Sequence, residues 1–577
     1  MKTSAKIFTA ICFLLSGNAY PQCYPYTMKD LDVNNVRARV INGSDKWWDL
    51  IGAPQYEVPK GSGKTSMFAA AIWIGGLDAT GQLHLAAETY RQTGNDFWEG
   101  PVEKNGCVIS TDTANCPTYQ NIWEYTPADI NNFISTGTAT NDITTYPANG
   151  NVTAGELPVL APFHDTNSNG IYEPSLGDYP LMDVNNTLPD SVEQLFGDQC
   201  LYWIFNDTSR APTLGNGSPP MGVEIHAQAF SFTSPVDAVN NTTFYRYKII
   251  NRTCQTYHNV YISHWADADL GWYHDDYTGC NIGKNMGYCY NGDLIDDLPY
   301  GYGATPPAIG IKVLQGPPAD ANDGIDNNNN GVIDEPGEEN LMTKFLVYSS
   351  TGGPVTGQPN TSQDYFNYMS GKWLNGDQWT YGGNGYNAVS TDTTSFIYPG
   401  DSDPNHPANP WDESIAGNPP DDRIFLLSSG PFTFYPDQCV CITYAVIWER
   451  AASGDNIASV DSLLSAADYI NNNFHYWDCP CNTSVGMKQI AKQSSQLQIS
   501  PNPANSIFTF TFISTIIQSI EIRLHNPLGS QVYFSKEETS AGKFSKEINV
   551  ANLNNGIYFL QVKTKDGVFN KKVVVEH

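Results

Sequence analysis

Phe508-Thr509-Phe510-Thr511-Phe512 and Ile520-Glu521-Ile522-Arg523-Leu524 decide how the end of this chain folds. Each alternates apolar and polar side chains. A period of two places every apolar residue on one face of a pleated strand, so both read as half-buried β-strands. Asn526-Pro527-Leu528-Gly529 and Lys565-Asp566-Gly567 are turn sequences between runs of this kind. The pattern predicts a small antiparallel sandwich of about seven short strands over residues 497–577.

The same module carries a resemblance. It opens on Pro501-Asn502-Pro503, turns at Gly529, passes Leu553-Asn554-Asn555-Gly556-Ile557-Tyr558, and closes with Lys571-Lys572 ahead of Val573-Val574-Val575-Glu576-His577. Together these resemble the C-terminal (type A) sorting domain of Bacteroidota type IX secretion substrates. The resemblance implies an immunoglobulin-like sandwich that engages the type IX secretion machinery through residues 497–577. It also implies export across the outer membrane, followed in many members by removal of the tail and release or surface attachment of the cargo.

The opposite end fits that route. Lys2 and Lys6, the apolar run Ile7–Leu15 and the small residues Gly17-Asn18-Ala19 form a secretory signal over 1–19. Tyr20-Pro21-Gln22 is a poor approach for lipidation at Cys23. The apolar run is too short to span a bilayer, and no later stretch supplies a transmembrane segment.

Between the ends lies an acidic body, 20–481, joined to the tail by a Ser-, Gln- and Lys-rich linker, 482–496. The net charge of the whole chain is −30. From Gln496 onward there are eight Lys and Arg against six Asp and Glu, and the signal adds two lysines, which leaves −34 on the rest. Such a surface repels phosphates, so nucleic acid is excluded as a partner, and the acidity favours divalent cations. With 40% hydrophobic and 12% aromatic residues, the body has enough apolar side chain to fold.

The body reads as strands, among them Phe68–Ile74, Glu224–Phe232, Thr243–Ile250, Asn259–His264, Phe345–Ser349 and Cys439–Trp448, separated by Gly, Pro, Asn and Asp clusters. The expected fold class is all-β: one or more sandwich or jelly-roll-like units with long loops. One short helix is expected near 460–472, with Val460, Leu463, Leu464, Ala467 and Ile470 on one face and Ser459 as its cap. Ala71–Asp78, Tyr90–Trp98, Gly177–Pro180, Asp275–Cys280 and Ser428–Phe432 resemble passages of large, uncharacterised secreted proteins that carry the same tail.

Eleven cysteines remain once the signal, with Cys12, is removed. Cys107 with Cys116 and Cys280 with Cys289 are spaced to staple short loops. Cys439-Val440-Cys441 and Cys479-Pro480-Cys481 suit crossed disulfides better than a zinc site, because the one-residue spacing departs from the usual knuckle and an exported chain is oxidised. The odd count leaves one thiol, Cys23 or Cys200.

Two loops share a cation-binding grammar. In one, Asp326, Asn328 and Asn330 recur at alternate positions, with Gly331 for the turn and Asp334 beyond it. In the other, Asp165, Asn167 and Asn169 are followed by Gly170 and Glu173. Calcium takes six to eight oxygens, and this spacing lets one loop wrap several around an ion. The first loop resembles thrombospondin type 3 and related bacterial calcium loops, while departing from the EF-hand, whose twelfth position here is Gly337. Structural calcium is therefore the expected cofactor.

A third cluster, Asp267, Asp269, Asp275 and Asp276 with His264 and His274 interleaved, is read as a cation- or solvent-facing loop. Its alternative is a carboxylate pair for hydrolysis. Gly61-Ser62-Gly63-Lys64-Thr65-Ser66 lacks the first glycine of a phosphate-binding loop and reads as a surface turn. The ten histidines join no nucleophile or zinc-protease motif. The expectation is a non-enzymatic, calcium-stabilised surface protein that binds a glycan or protein ligand. The alternative is a secreted hydrolase acting on polysaccharide or peptide, with Trp373, Trp379, Tyr381 and Tyr386 as candidate sugar platforms.

Overall fold

The computed structural model describes residues 26–91, 95–111, 116–182, 184, 193–208, 217–386, 391–474, 498–514, 518–526, 531–539, 542–564 and 567–577. The signal, the linker and Cys479 and Cys481 lie outside these residues. The chain divides into two compact units, 1–483 and 484–577. It is mostly antiparallel β-structure, an all-β chain.

The body is layered around a nine-stranded sheet. Its strands run in the order Trp123–Tyr125, Gln199–Asn206, Val223–Ser231, Thr242–Asn251, Cys439–Glu449, Ala308–Gln315, Met286–Asn291 and Asp276–Asn281, and Trp98–Glu99 pairs with the second of them. Along Gln199–Asn206 every residue is buried. Leu201, Trp203 and Phe205 enter one core, and Cys200, Tyr202 and Ile204 the other. A strand covered on both faces reads as a continuous apolar run, which is why this one shows no polar alternation.

The first core joins this sheet to a five-stranded one, ordered Lys344–Tyr348, Arg423–Phe434, Tyr257–Ala268, Ala69–Leu77 and Leu83–Ala86. His264 from the smaller sheet meets Tyr444 from the larger at 4.8 Å between ring centroids. The second core is closed by helix Asn456–Asn473, which buries Val460, Leu463, Ala466, Ala467 and Ile470. That helix starts four residues before the expected 460 and is capped by Asp455, whose side chain accepts from the Ala458 amide. Ser459 instead is buried and accepts from the Ala451 amide at 3.1 Å.

Helices at Pro127–Thr136 and Ser362–Met369 were not expected from periodicity. Thr126 with Asp129 and Thr361 with Asp364 form capping boxes at their starts, a local signal that the sequence does carry.

Among the described cysteines, Cys107 is bonded to Cys254, 147 positions away, with Cα atoms 5.3 Å apart. The expected Cys107–Cys116 staple is thereby corrected. Cys280 and Cys289 are free and buried, not bonded to each other: Cys280 lies opposite Gly287 and Cys289 opposite Thr278 in neighbouring strands. Cys439 and Cys441 are both disulfide-bonded, which leaves no thiolate there for zinc. Cys200 is free and buried.

The described residues of the tail unit form seven strands. Gln498–Ser500, Ile507–Ser514 and Gly542–Asn549 form one sheet; Gln531–Thr539, Gln518–His525, Gly556–Thr564 and Gly567–Val575 form the other. Phe508, Phe510, Ile520, Ile522, Leu524, Leu560, Val562, Val573 and Val575 fill its core, as the alternation requires. Tyr558 is buried, with its hydroxyl donating to Asn554 O at 2.9 Å, while Lys571 and Lys572 are exposed on the last strand. Gly529 lies outside the described residues.

Candidate metal centres

The two Asp/Asn loops adopt the same local structure, although they are 161 positions apart in the sequence. Asp165 accepts from the Asn169 amide at 3.2 Å and the Gly170 amide at 2.6 Å; Asp326 accepts from the Asn330 amide at 3.0 Å and the Gly331 amide at 2.8 Å. Asn167 and Asn328 each accept from the amide two residues on, at 3.0 Å. Asn169 accepts from Ile171 N and Asn330 from Val332 N, at 2.8 and 2.7 Å. Ser168 and Asn329 both sit at φ 60°, followed by Gly170 and Gly331 at 76° and 88°. The glycines occupy the left-handed turn that a side chain would strain.

The carboxylate that closes each loop differs from the expected one in a single case. Glu173 accepts from the Asn169 side-chain amide at 2.7 Å. In the second loop that position belongs to Glu335, which accepts from Asn328 at 2.7 Å and from Asn330 at 2.5 Å. Asp334 accepts from the Gly324 amide at 3.3 Å. The hydrogen bonds from Asn328 and Asn330 hold Glu335 below the usual carboxylate range. For Asp165 desolvation, the largest single effect, acts upward, but the amides of Gly170, Asn169, Ser168 and Asn167 together outweigh it and hold the carboxylate below its usual range. Ionised carboxylates and amide oxygens gathered on one turn are hard donors that suit calcium.

The third cluster separates. His264 leaves it for the core, between Trp47 and Tyr444, where burial and nearby Lys46 hold it well below its usual range. Asp276 is fully buried and accepts from the Leu270 amide at 3.0 Å. His274 pairs with Asp421 at 2.7 Å.

Asp267 and Asp269 remain, at the end of strand Tyr257–Ala268. Antiparallel pairing sets Ala268 opposite Arg423 and so brings Asp422 alongside. One carboxylate oxygen from each of the three lies within 4.8 Å of the other two. Burial, then the charges of Asp269 and Asp422, push Asp267 well up; burial and Asp422 push Asp269 to about 7. At an effective dielectric of about 20, two carboxylates at this separation repel by roughly 3 kcal/mol. Arg423, the adjacent cation, is committed to Glu413 at 2.9 Å.

Three of the four candidate sugar platforms are core residues, with Trp379 0% exposed, Trp373 1% and Tyr381 7%, and Tyr386 is partly buried against the same core. The exposed aromatic feature is elsewhere. Tyr300, 64% exposed, stacks on Trp272 at 5.7 Å and an interplanar angle of 16°. Leu294, Ile295 and Leu298 are exposed beside it, around the short hairpin Ile295–Asp296 and Gly303–Ala304. Gly61–Gly63 form the expected surface turn, between strands Tyr56–Glu57 and Thr65–Met67.

Comparison with known proteins assigns the tail. Residues 498–576 match the family described as the secretion system C-terminal sorting domain. The chain is thus an exported protein, secreted or held at the cell surface, whose tail engages the type IX secretion machinery. No helix among the described residues is long and apolar enough to cross a membrane. No curated protein matches the chain. A solved polysaccharide lyase is similar at 7% identity with a TM-score of 0.19, over 65% of this chain and 39% of its own length; a score that low carries no argument.

Proposed function

We propose that the protein is a Bacteroidota type IX cargo, released or attached at the outer-membrane surface after signal and tail are removed, and that its calcium-stabilised body binds a surface glycan or protein. The observation that carries the binding role is exposed Tyr300, stacked on half-buried Trp272, with the exposed apolar residues Leu294, Ile295 and Leu298 in the same segment of chain. Exposed apolar side chains gathered in one short segment are a feature of interaction sites, and stacked aromatic faces suit sugar rings. Calcium is supported by the matching geometry of the loops at Asp165 and Asp326. Ordering two long polar loops costs conformational entropy that bound ions would offset.

Two experiments test the reading. Removing residues 498–576 should trap the chain in the periplasm, and continued export would contradict the route. Glycan-array and adhesion assays on the full chain should give binding that Tyr300→Ala lowers at least tenfold; equal binding by both proteins would refute the assignment to this hairpin. In a hydrolase reading full burial keeps Asp276 from a polymeric substrate, which leaves half-buried Asp275 as the carboxylate to test.

A further inference from the structure

We infer that Asp267, Asp269 and Asp422 form a third divalent-cation site, separate from the two Asp/Asn loops, that fastens together the ends of strands Tyr257–Ala268 and Arg423–Phe434. Three observations carry it. One carboxylate oxygen from each lies within 4.8 Å of the other two, the span that one ion with metal–oxygen distances of about 2.4 Å can bridge. Asp267 is 7% exposed, and its Oδ1 is buried with no hydrogen-bond partner; Oδ2 accepts from the Tyr90 hydroxyl at 2.6 Å. Asp422 Oδ1 is likewise buried and unpartnered, while Oδ2 has only a long contact of 3.4 Å from Ser350.

No Lys, Arg or His among the described residues pairs with any of the three. The neighbouring cations are engaged elsewhere, Arg423 with Glu413 and His274 with Asp421. His274 acts on Asp269 and Asp422, and Arg423 on Asp422, only through longer-range charge, and neither supplies a hydrogen bond to the orphaned oxygens of Asp267 and Asp422. A buried carboxylate oxygen without a donor is costly, and a hard cation would supply the missing partner. Asp269 and Asp422 are only partly buried, so an ion can enter from solvent and retain water on its open side. An all-oxygen set of three carboxylates selects calcium or a similar hard ion over zinc or copper.

The test uses the full chain stripped with chelator and titrated with CaCl2 by calorimetry, alongside thermal unfolding. Asp422→Asn should lower the calcium stoichiometry by one. Without metal it should melt at or above the temperature of the native protein, because one repelling charge is gone; that readout also shows that the variant folds. Asp165→Asn combined with Asp326→Asn, which alters only the loops, should leave this site intact, so the native triad must still bind one calcium in that background. Loss of calcium binding by the loop variant alone, with Asp422→Asn indistinguishable from native in stoichiometry and calcium-induced stabilisation, would overturn the inference and leave a triad that shares protons.

Discussion

Asn502 holds the last strand of the tail: its Oδ1 accepts from the Val574 amide at 2.7 Å. Its side-chain amide also donates to Lys572 O at 3.1 Å, so one residue of the Pro501-Asn502-Pro503 opening bonds to both sides of Val573. Ala504 extends the clamp, donating to Val574 O at 2.8 Å and accepting from Glu576 N at 2.9 Å. The opening motif and the basic ending are therefore one structural unit.

Asn502→Ala should remove both side-chain bonds and destabilise the tail by about 1–2 kcal/mol. Hydrogen exchange would report this as lost protection at the Val574 amide. Protection equal to that of the native protein would show that the backbone pairing alone holds the strand.

Glu335, and not Asp334, should govern the second loop. Glu335→Gln is expected to weaken calcium binding there about tenfold, roughly 1.4 kcal/mol, whereas Asp334→Asn should change it less than threefold. Terbium luminescence titration of the two variants compares them directly. The reverse order would return the role to Asp334.

Lys46 is buried in the first core with no hydrogen-bond partner, and Trp47 lies 5.0 Å and Tyr245 5.4 Å from its Nζ. Burial lowers it to about 7, against partial support from Asp45. Between about 7 and its ordinary value of 10.5, the unfolded chain holds a proton that the folded one lacks, so stability rises with pH across this window. Below about 7 both states are charged and the full penalty applies. Lys46→Met should therefore be more stable than native at pH 6, with the gap closing by as much as about 4 kcal/mol towards pH 10, less what the ring contacts offset. Urea unfolding at the two pH values measures it. A gap independent of pH would mean that the ammonium is not desolvated.

Cys254→Ser should cost about 2–5 kcal/mol, because Cys107–Cys254 closes a long loop. Cys280 and Cys289, buried and with their thiols pushed up by burial, should resist alkylation in the native protein. Rapid labelling of both without denaturant would contradict the packing.

What could be read from the chain itself follows the range of each interaction. Alternation around Phe508 and Ile520 is local, and it fixes which face is buried; the Asp165 and Asp326 loops are likewise written in consecutive residues. The partnership of Asp422 with Asp267 depends on antiparallel pairing of strands about 155 positions apart, which spacing does not encode. Cys107 finds Cys254 for the same reason. Trp373 and Trp379 are as compatible with a core as with a sugar platform, and only their burial decides between the two.

Thermal unfolding of the full chain in millimolar calcium and in excess chelator tests the calcium-stabilised body most directly. Chelation should lower the melting temperature by several degrees or more, and Asp165→Asn combined with Asp326→Asn should reduce that shift. Superimposable melting curves with and without calcium would contradict it.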